Sequence, residues 1–539
     1  MPTGPDVLER VADLARVRLH GTSWAGVSIA LTGREELVGV VPVGSADLES
    51  REPLTEDHLF QIGSVGKSFT AIALLQLHEE GRLELHAPVT EYLPWFQVRS
   101  PFPPITIHHL LTHTSGLYTG MEISTDGSFD VWSLRDEEPG FAPGENFHYS
   151  NLGYRTLGLV LEAITKSSYA EEIRARILEP LGMEATESAI TNDLRPRTAA
   201  GYTHLHDDRV HRRDSPLAPA PWFVNATGDG CISSTPADLA VYLRMLMNRG
   251  RGPNGRVMSE DSFDLMTQRV SLREGRWYGY GMNAWDIDGR PHLGHGGGMV
   301  GYFSDMRADL DSDIGAVVFV NAPDFDVTGE IGRDALDVLR ASMAGRPLPE
   351  VPDPPDRMRA QDPDAHVGTY RGPDGDLGIE ARDGQLTMVD GGETAALEPL
   401  APDQFVPHHP DLDRFRLRFL RRDGRVVEVT HGPRRWWAEG APSPQDEGLE
   451  FDPSWAAFCG HYRSFNPWAP DIRVFRRGSD LILAWYPQGT EDRLTPTGGG
   501  RFRVGDEAAS PHRVSFDATI DGGTLRATIS GAPYYRTPL

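Results

Sequence analysis

QIGSVGKSF, residues 61–69, is the stretch whose reading decides the fold. Its GKS invites a phosphate-binding loop. Such a loop needs glycine at the first and sixth places of G-x-x-x-x-G-K-[ST], so that a curled backbone turns several N–H groups on one anion. Gln61 occupies the first place, Gly63 stands at the wrong offset, and no strand-like run feeds into the segment. The other reading is Ser64-Val65-Gly66-Lys67, an S-x-x-K pair. On a helix beginning near residue 64 the two side chains share one face, a turn apart. Ser64 at the helix N-terminus turns its hydroxyl to a cleft, while its own N–H, left over by the helix, is available to a developing oxyanion. A serine hydroxyl needs a base to become a nucleophile. Lys67 can serve only when burial or a neighbouring cation makes its neutral form accessible. FTAIALLQLHEEG, which follows, is apolar nearly all round to Leu77 and stopped by Gly81, as expected of a centrally buried helix.

The basic residues sharpen that reading. Of 52 Lys and Arg only two are lysine, Lys67 and Lys166. Arginine carries surface charge equally well but cannot release its proton in a protein, so a lysine kept beside a serine marks a place that needs a releasable proton.

At 539 residues the chain predicts two to four domains, and a hydrophobic share of 39% is ample for burial. The formal charge of −26 argues against nucleic acid and anionic lipid as partners. The opening MPTGPDVLERVADLARVRLH has the spacing of an amphipathic helix rather than the apolar core of a secretion signal, and no run reaches the length of a membrane span. Cys231 and Cys459 lie far apart and form no framework. The expectation is a soluble cytoplasmic protein with no membrane partner, its oligomeric state open, a homodimer among the options.

Residues 1–345 mix helical and strand patterns. AGVSIALTG and ELVGVVPVGSAD read as a hairpin; NLGYRTLGLVLEAITKSS and SSTPADLAVYLRMLMNRG read as helices. RWYGYGMNAW, GYFSDMRADL and IGAVVFVNA read as a three-stranded antiparallel meander. Strands at both ends with helices between imply an α+β domain whose sheet is assembled from the two ends. Residues 346–365 are proline-rich and acidic, a stiff linker. Residues 366–447 and 448–539 repeat one another: GTYR answers GHYR, LEPLAPDQFV answers LTPTGGGRFRV, and each copy ends near an aromatic pair, Trp436-Trp437 or Tyr534-Tyr535. Two small antiparallel β-barrels follow from such alternating strands.

Two further motifs keep company with S-x-x-K. FAPGENFHYSNLGY contains Tyr149-Ser150-Asn151, a Y-x-N triplet just before a helix. HLGHGGGMVGYF contains His295-Gly296-Gly297 at the head of a strand, where small residues let an extended substrate lie along a sheet edge. S-x-x-K, Y-x-N and [KH]-x-G in this order resemble the serine β-lactamase and penicillin-binding-protein superfamily, in the branch of class C β-lactamases, D-aminopeptidases, DD-carboxypeptidases and esterases. LLTHTSGL, EPLGM and GDGCISSTPADLA are similar to that branch as well, and the repeats resemble lipocalin-like C-terminal domains of D-aminopeptidases. The resemblance implies Ser64 as the acylated nucleophile, Lys67 as proton acceptor and Tyr149 as the base and acid that serves the leaving group. It implies Asn151 as a binder of a substrate carbonyl, and an oxyanion hole from the N–H groups of Ser64 and Gly298. His295 stands where β-lactamases usually carry lysine, which moves the expected substrate from penicillin to peptides, amides or esters of D-configured residues.

His108, His109 and His113 invite a metal reading, but Leu110 stands where a zincin carries glutamate, and structural histidines are the expectation. No cofactor or metal is called for. The function expected is a serine hydrolase of small amides or esters, D-amino-acid peptides first. Acyl transfer to an amine, as in peptide cyclases, shares the mechanism, and a non-catalytic peptide-binding protein is the reading of another class.

Overall fold

The computed structural model describes residues 5–120, 127–273, 275–323, 325–441, 451–520 and 522–537. Two compact units interleave in sequence: Met1–Thr203 with Leu217–Pro354, and His204–Pro216 with Pro355–Leu539.

The first unit is built on a nine-stranded sheet. Its strands are β1 (Gly26–Gly33), β2 (Leu37–Asp47), β3 (Glu52–Pro53), β4 (Ser271–Arg273), β5 (Arg276–Tyr278), β6 (Asn283–Ile287), β7 (Arg290–Met299), β8 (Tyr302–Asp309) and β9 (Ile314–Val320), in the order β4-β5-β6-β7-β8-β9-β1-β2-β3. The N-terminal hairpin thus pairs with the last strand, Val27 opposite Val320, as strands at both ends of the domain require. Alternation divides the central strands between two cores. Val27, Ile29 and Leu31 of β1, with Ile314, Ala316 and Val318 of β9, pack with α1 (Pro5–Leu19) and Ile331, Ala335 and Leu339 of the last helix of the unit, Phe325–Met343. Ala30, Val317 and Phe319 face the other way, into a core with α2 (Gly66–Glu79). Covering on both faces explains why β1 and β9 read as continuous apolar runs.

The meander is longer than three strands. RWYGYGMNAW is broken into β5 and β6, and HLGHGGGM lies within an additional strand, β7. Two glycines impose the break. A Cβ at Gly279 would sit 2.2 Å from Met266 O, and Gly281 has φ +69°, which side-chain-bearing residues rarely adopt. His295 is accordingly in the middle of β7 rather than at its head. β6 pairs with β7 only as far as Gly294, whereas β8 pairs along it to Met299, so among the described residues His295–Met299 is paired on one side only. The open edge begins at His295.

The second unit contains two closed eight-stranded antiparallel barrels, one running from Gly368 to Ala438 and the other from Gly460 to Arg536. The repetition persists in detail. Tyr370 Oη donates to His366 O at 2.8 Å and Tyr462 Oη to Phe458 O at 2.7 Å, the same four-residue reach in both copies. Each fourth strand carries a bulge after a proline, Pro399 or Pro496. The barrels are filled with side chains, among them Leu377, Leu397, Phe405 and Trp436 in the first. The inserted segment His204–Pro216 belongs to this unit: Val210 is buried with Val406, Ala484 and Tyr486, and its N–H donates to Asp413 O at 2.9 Å while His211 N–H donates to Pro487 O at 3.1 Å. One short segment therefore bonds to both barrels.

Candidate active site

Ser64 lies in a 3₁₀ turn, Gly63–Val65, that runs directly into α2. The turn is possible because Gly63 has φ +53° and because its neighbours leave no room for a side chain. A Cβ at Gly63 would meet Gly298 O at 2.5 Å and Gly298 N at 2.6 Å, and a Cβ at Gly297 would meet Ile62 O at 1.9 Å. Glycine at these positions lets the backbone before Ser64 lie against β7, with Gly63 against the peptide of Gly298. Ser304 Oγ, donating to Ile62 O at 2.8 Å, pins the same contact from β8.

Lys67 is fully buried, and its Nζ lies 3.0 Å from Ser64 Oγ and 2.6 Å from Asp229 O. The helix repeat brings the pair together; Asp229, far along the chain, supplies the second fixed point. Asp229 is itself anchored. Arg155 Nε donates to its Oδ2 at 3.1 Å and Thr227 Oγ1 to its Oδ1 at 2.5 Å, while Arg155 also pairs with the buried Asp130. Burial works to raise the Asp229 pKa, and the Arg155 guanidinium, together with Lys67 and the Thr227 hydroxyl, overcomes it, holding the carboxyl below the ordinary carboxylate value. Gly230, φ +146°, continues the approach: a Cβ there would sit 2.3 Å from Gly63 O.

Tyr149 and Asn151 flank Ser150, whose Oγ accepts the Gly153 N–H at 3.1 Å and caps α3 (Asn151–Thr165). Lys67 Nζ is 5.0 Å from the centre of the Tyr149 ring, and the Tyr149 hydroxyl is buried. The Asn151 Oδ1 atom is buried and accepts no hydrogen bond from the described residues. His295 completes the group, its ring centre 6.3 Å from that of Tyr149. Burial pushes the His295 imidazole down to about 4, so it is neutral at physiological pH. Hydroxyl, amine, phenol and imidazole are thus linked by successive contacts, Ser64 to Lys67, Lys67 to Tyr149 and Tyr149 to His295, with Asn151 two residues beyond Tyr149.

Sequence reasoning passed over Tyr278, Arg155 and Asp229, and placed His113 among structural residues. His113 Nε2 lies 3.2 Å from Tyr278 Oη, and Tyr278 Oη 3.1 Å from His295 Nε2. His108 bonds Tyr280 Oη at 2.8 Å and His109 caps its own short helix, Ile107–Leu111. Among the described residues no three His, Cys, Asp or Glu are placed to hold a metal ion. No described helix is long and apolar enough to cross a membrane.

A family model described as Beta-lactamase matches residues 11–339. The chain belongs to the Beta-lactamase family. Members of this family are generally serine hydrolases, and the matched span contains the whole cleft. Penicillin-binding protein 4 of Amycolatopsis lactamdurans is 31% identical over 334 residues, 59% of this chain and 85% of that protein. Esterase EstB of Burkholderia gladioli is 36% identical over 199 residues, 33% of this chain and 50% of its own length. Among solved structures, the octameric penicillin-binding protein homologue from Pyrococcus abyssi covers 81% of this chain and 100% of its own, at TM-score 0.57 and 25% identity. The D-amino acid amidase from Ochrobactrum anthropi SV3 complexed with D-phenylalanine covers 63% and 100%, at TM-score 0.53 and 25% identity.

Proposed function

We propose that this member of the Beta-lactamase family forms an acyl-enzyme on Ser64 and cleaves small amides or esters, with amides and peptides of D-amino acids as the first substrate class. The observation that carries the reading is the buried Lys67 Nζ, 3.0 Å from Ser64 Oγ. Lys67 takes the hydroxyl proton as Ser64 Oγ bonds to the substrate carbonyl carbon. The resulting oxyanion is received by the N–H groups of Ser64 and Gly298. Tyr149 passes a proton to the departing amine or alcohol, and the bond to that group breaks. Water, deprotonated by the same tyrosine, then attacks the acyl carbon; the bond to Ser64 Oγ breaks, and Lys67 gives that oxygen back the proton it took. Asn151 orients the substrate amide.

The neutral His295 supports the substrate class. An uncharged imidazole offers no ammonium to a terminal carboxylate, so blocked carboxyl groups, as in amides and esters, suit the cleft better than free acids. Similarity to a D-amino acid amidase and to an esterase points the same way.

Intact-protein mass spectrometry after treatment with a fluorophosphonate tests the nucleophile: one adduct is expected on the native chain and none on Ser64→Ala. Absence of the native adduct refutes the hydrolase. D- and L-aminoacyl amides, short-chain esters and nitrocefin assayed side by side test the substrate class. Hydrolysis of D-aminoacyl amides and esters well above nitrocefin is expected, and the reverse ranking refutes the preference.

A further inference from the structure

Four hydrogen bonds link a backbone N–H to a backbone carbonyl through three side chains. Ser150 N–H donates to His113 Nδ1 at 3.0 Å; His113 Nε2 lies 3.2 Å from Tyr278 Oη; Tyr278 Oη lies 3.1 Å from His295 Nε2; His295 Nδ1 lies 2.6 Å from Gly296 O. The ends set the direction of the whole chain. A peptide N–H can only donate and a peptide carbonyl can only accept. His113 Nδ1 must therefore present its lone pair to Ser150, which places the proton of the neutral ring on Nε2, facing Tyr278. His295 must donate from Nδ1 to Gly296 O, which leaves Nε2 as an acceptor. Tyr278 then accepts from His113 and, although the Tyr154 hydroxyl also lies beside it, turns its one proton to His295 Nε2 at 3.1 Å. Each bond holds one proton, and an added proton on His295 Nε2 would confront the tyrosine hydroxyl proton. All three side chains are buried.

The two ends lie beside candidate site groups from two distant parts of the chain. Ser150 lies between Tyr149 and Asn151; Gly296 immediately precedes Gly297 and Gly298 on the open edge of β7. His113 is tied to the first end in two more ways: its ring packs 4.1 Å from that of Tyr149, and its carbonyl accepts the His148 N–H at 2.8 Å. It also has φ +56°, a conformation uncommon for a residue with a side chain, held where the surrounding contacts over-determine it.

We propose that His113 and Tyr278 are positioning residues: with His295 they form a hydrogen-bond chain of one direction that sets the loop carrying Tyr149 at a fixed distance from the strand carrying Gly298. They act by keeping the base and the oxyanion donors in register about Ser64, and they hold His295 in the Nδ1–H tautomer. The inference rests on Ser64 being the nucleophile.

The test uses the full chain labelled with ¹⁵N at histidine, its imidazole signals assigned with single His→Gln variants. At pH 7 His113 is expected as the Nε2–H tautomer and His295 as the Nδ1–H tautomer; the opposite tautomer on either ring, or a charged His295, overturns the proposal. Tyr278→Phe keeps the ring and removes the hydroxyl. On a substrate the native enzyme turns over, kcat is expected to fall ~10- to 100-fold, the scale of a small misplacement of catalytic groups, with KM within about threefold. Native kcat in that variant, whether or not its thermal midpoint drops, overturns the positioning role. A native Ser64 that takes no fluorophosphonate adduct refutes the hydrolase reading instead, while the tautomers still decide whether the chain has the stated direction.

Discussion

The two units bury different things. In the first, one of the largest fully buried side chains is Lys67; in the barrels the largest are Trp436, Tyr462, Tyr486 and Tyr534. The barrel aromatics contribute apolar area, and their polar tips reach backbone carbonyls, as Tyr462 does to Phe458 O and Tyr534 to Ala469 O. Their burial is explained by stability alone. A lysine amine lost from water has no such return, because three donors and a charge must be satisfied in a medium that opposes charge. Around Lys67 the chain also accepts left-handed backbone at Gly63 and His113 and a backbone approach at Gly230 that excludes any Cβ. The second unit buries charge as well, Asp471 and Glu398 among it, but those carboxylates pair with His461 and His408, whereas Lys67 is held by a serine hydroxyl and a backbone carbonyl.

The largest effect comes from replacing the amine with a group that is always charged. Lys67→Arg retains a cation but cannot accept the serine proton, and kcat/KM on the best amide or ester is expected to fall by ~10³-fold or more. An arginine variant with most of the native activity removes the amine's special status.

Next is the charge network behind it. Arg155→Met strands the buried carboxylates of Asp130 and Asp229 without their cation, an expected loss of about 3–5 kcal/mol in unfolding free energy. Denaturant unfolding measures it. A change below about 1 kcal/mol would mean that the pair contributes no more than an exposed ion pair.

The smallest effect belongs to the barrels. Val210→Ala trims a buried side chain where the inserted segment meets Val406, Ala484 and Tyr486, and ~1–2 kcal/mol is expected from the second unit's unfolding transition. An unchanged transition would show that the segment lies on the barrels without stabilising them.

Much of this was legible before any coordinates. Local periodicity is a property of a few neighbouring residues, so the buried helix after Lys67, the helix after Asn151 and the duplicated barrels followed from apolar spacing and repeated phrases. The lysine of the first motif lies 5.0 Å from the tyrosine ring of the second, and that ring lies 6.3 Å from the histidine ring of the third. What the pattern misread was local geometry under tertiary control. RWYGYGMNAW has the composition of one strand, but Met266 O crowds Gly279 and Gly281 turns left-handed, so it becomes two. His113 and Tyr278 carry no local mark of their connection. They are 165 positions apart, and the hydrogen bond between them exists only because the sheet brings β5 beside the turn after Ile107–Leu111.

By itself the sequence determined which groups could do chemistry: a serine and lysine one helical turn apart, a tyrosine and asparagine beside a helix start, and a glycine run that lets backbones touch. Only the tertiary structure decided how far the amine is buried, that Asp229 O is its second partner, and that burial pushes the His295 imidazole down to about 4. The reason is physical. Helical spacing is set by bonds along the chain, whereas desolvation and proton direction depend on every atom that surrounds a group, and most of those atoms come from distant residues.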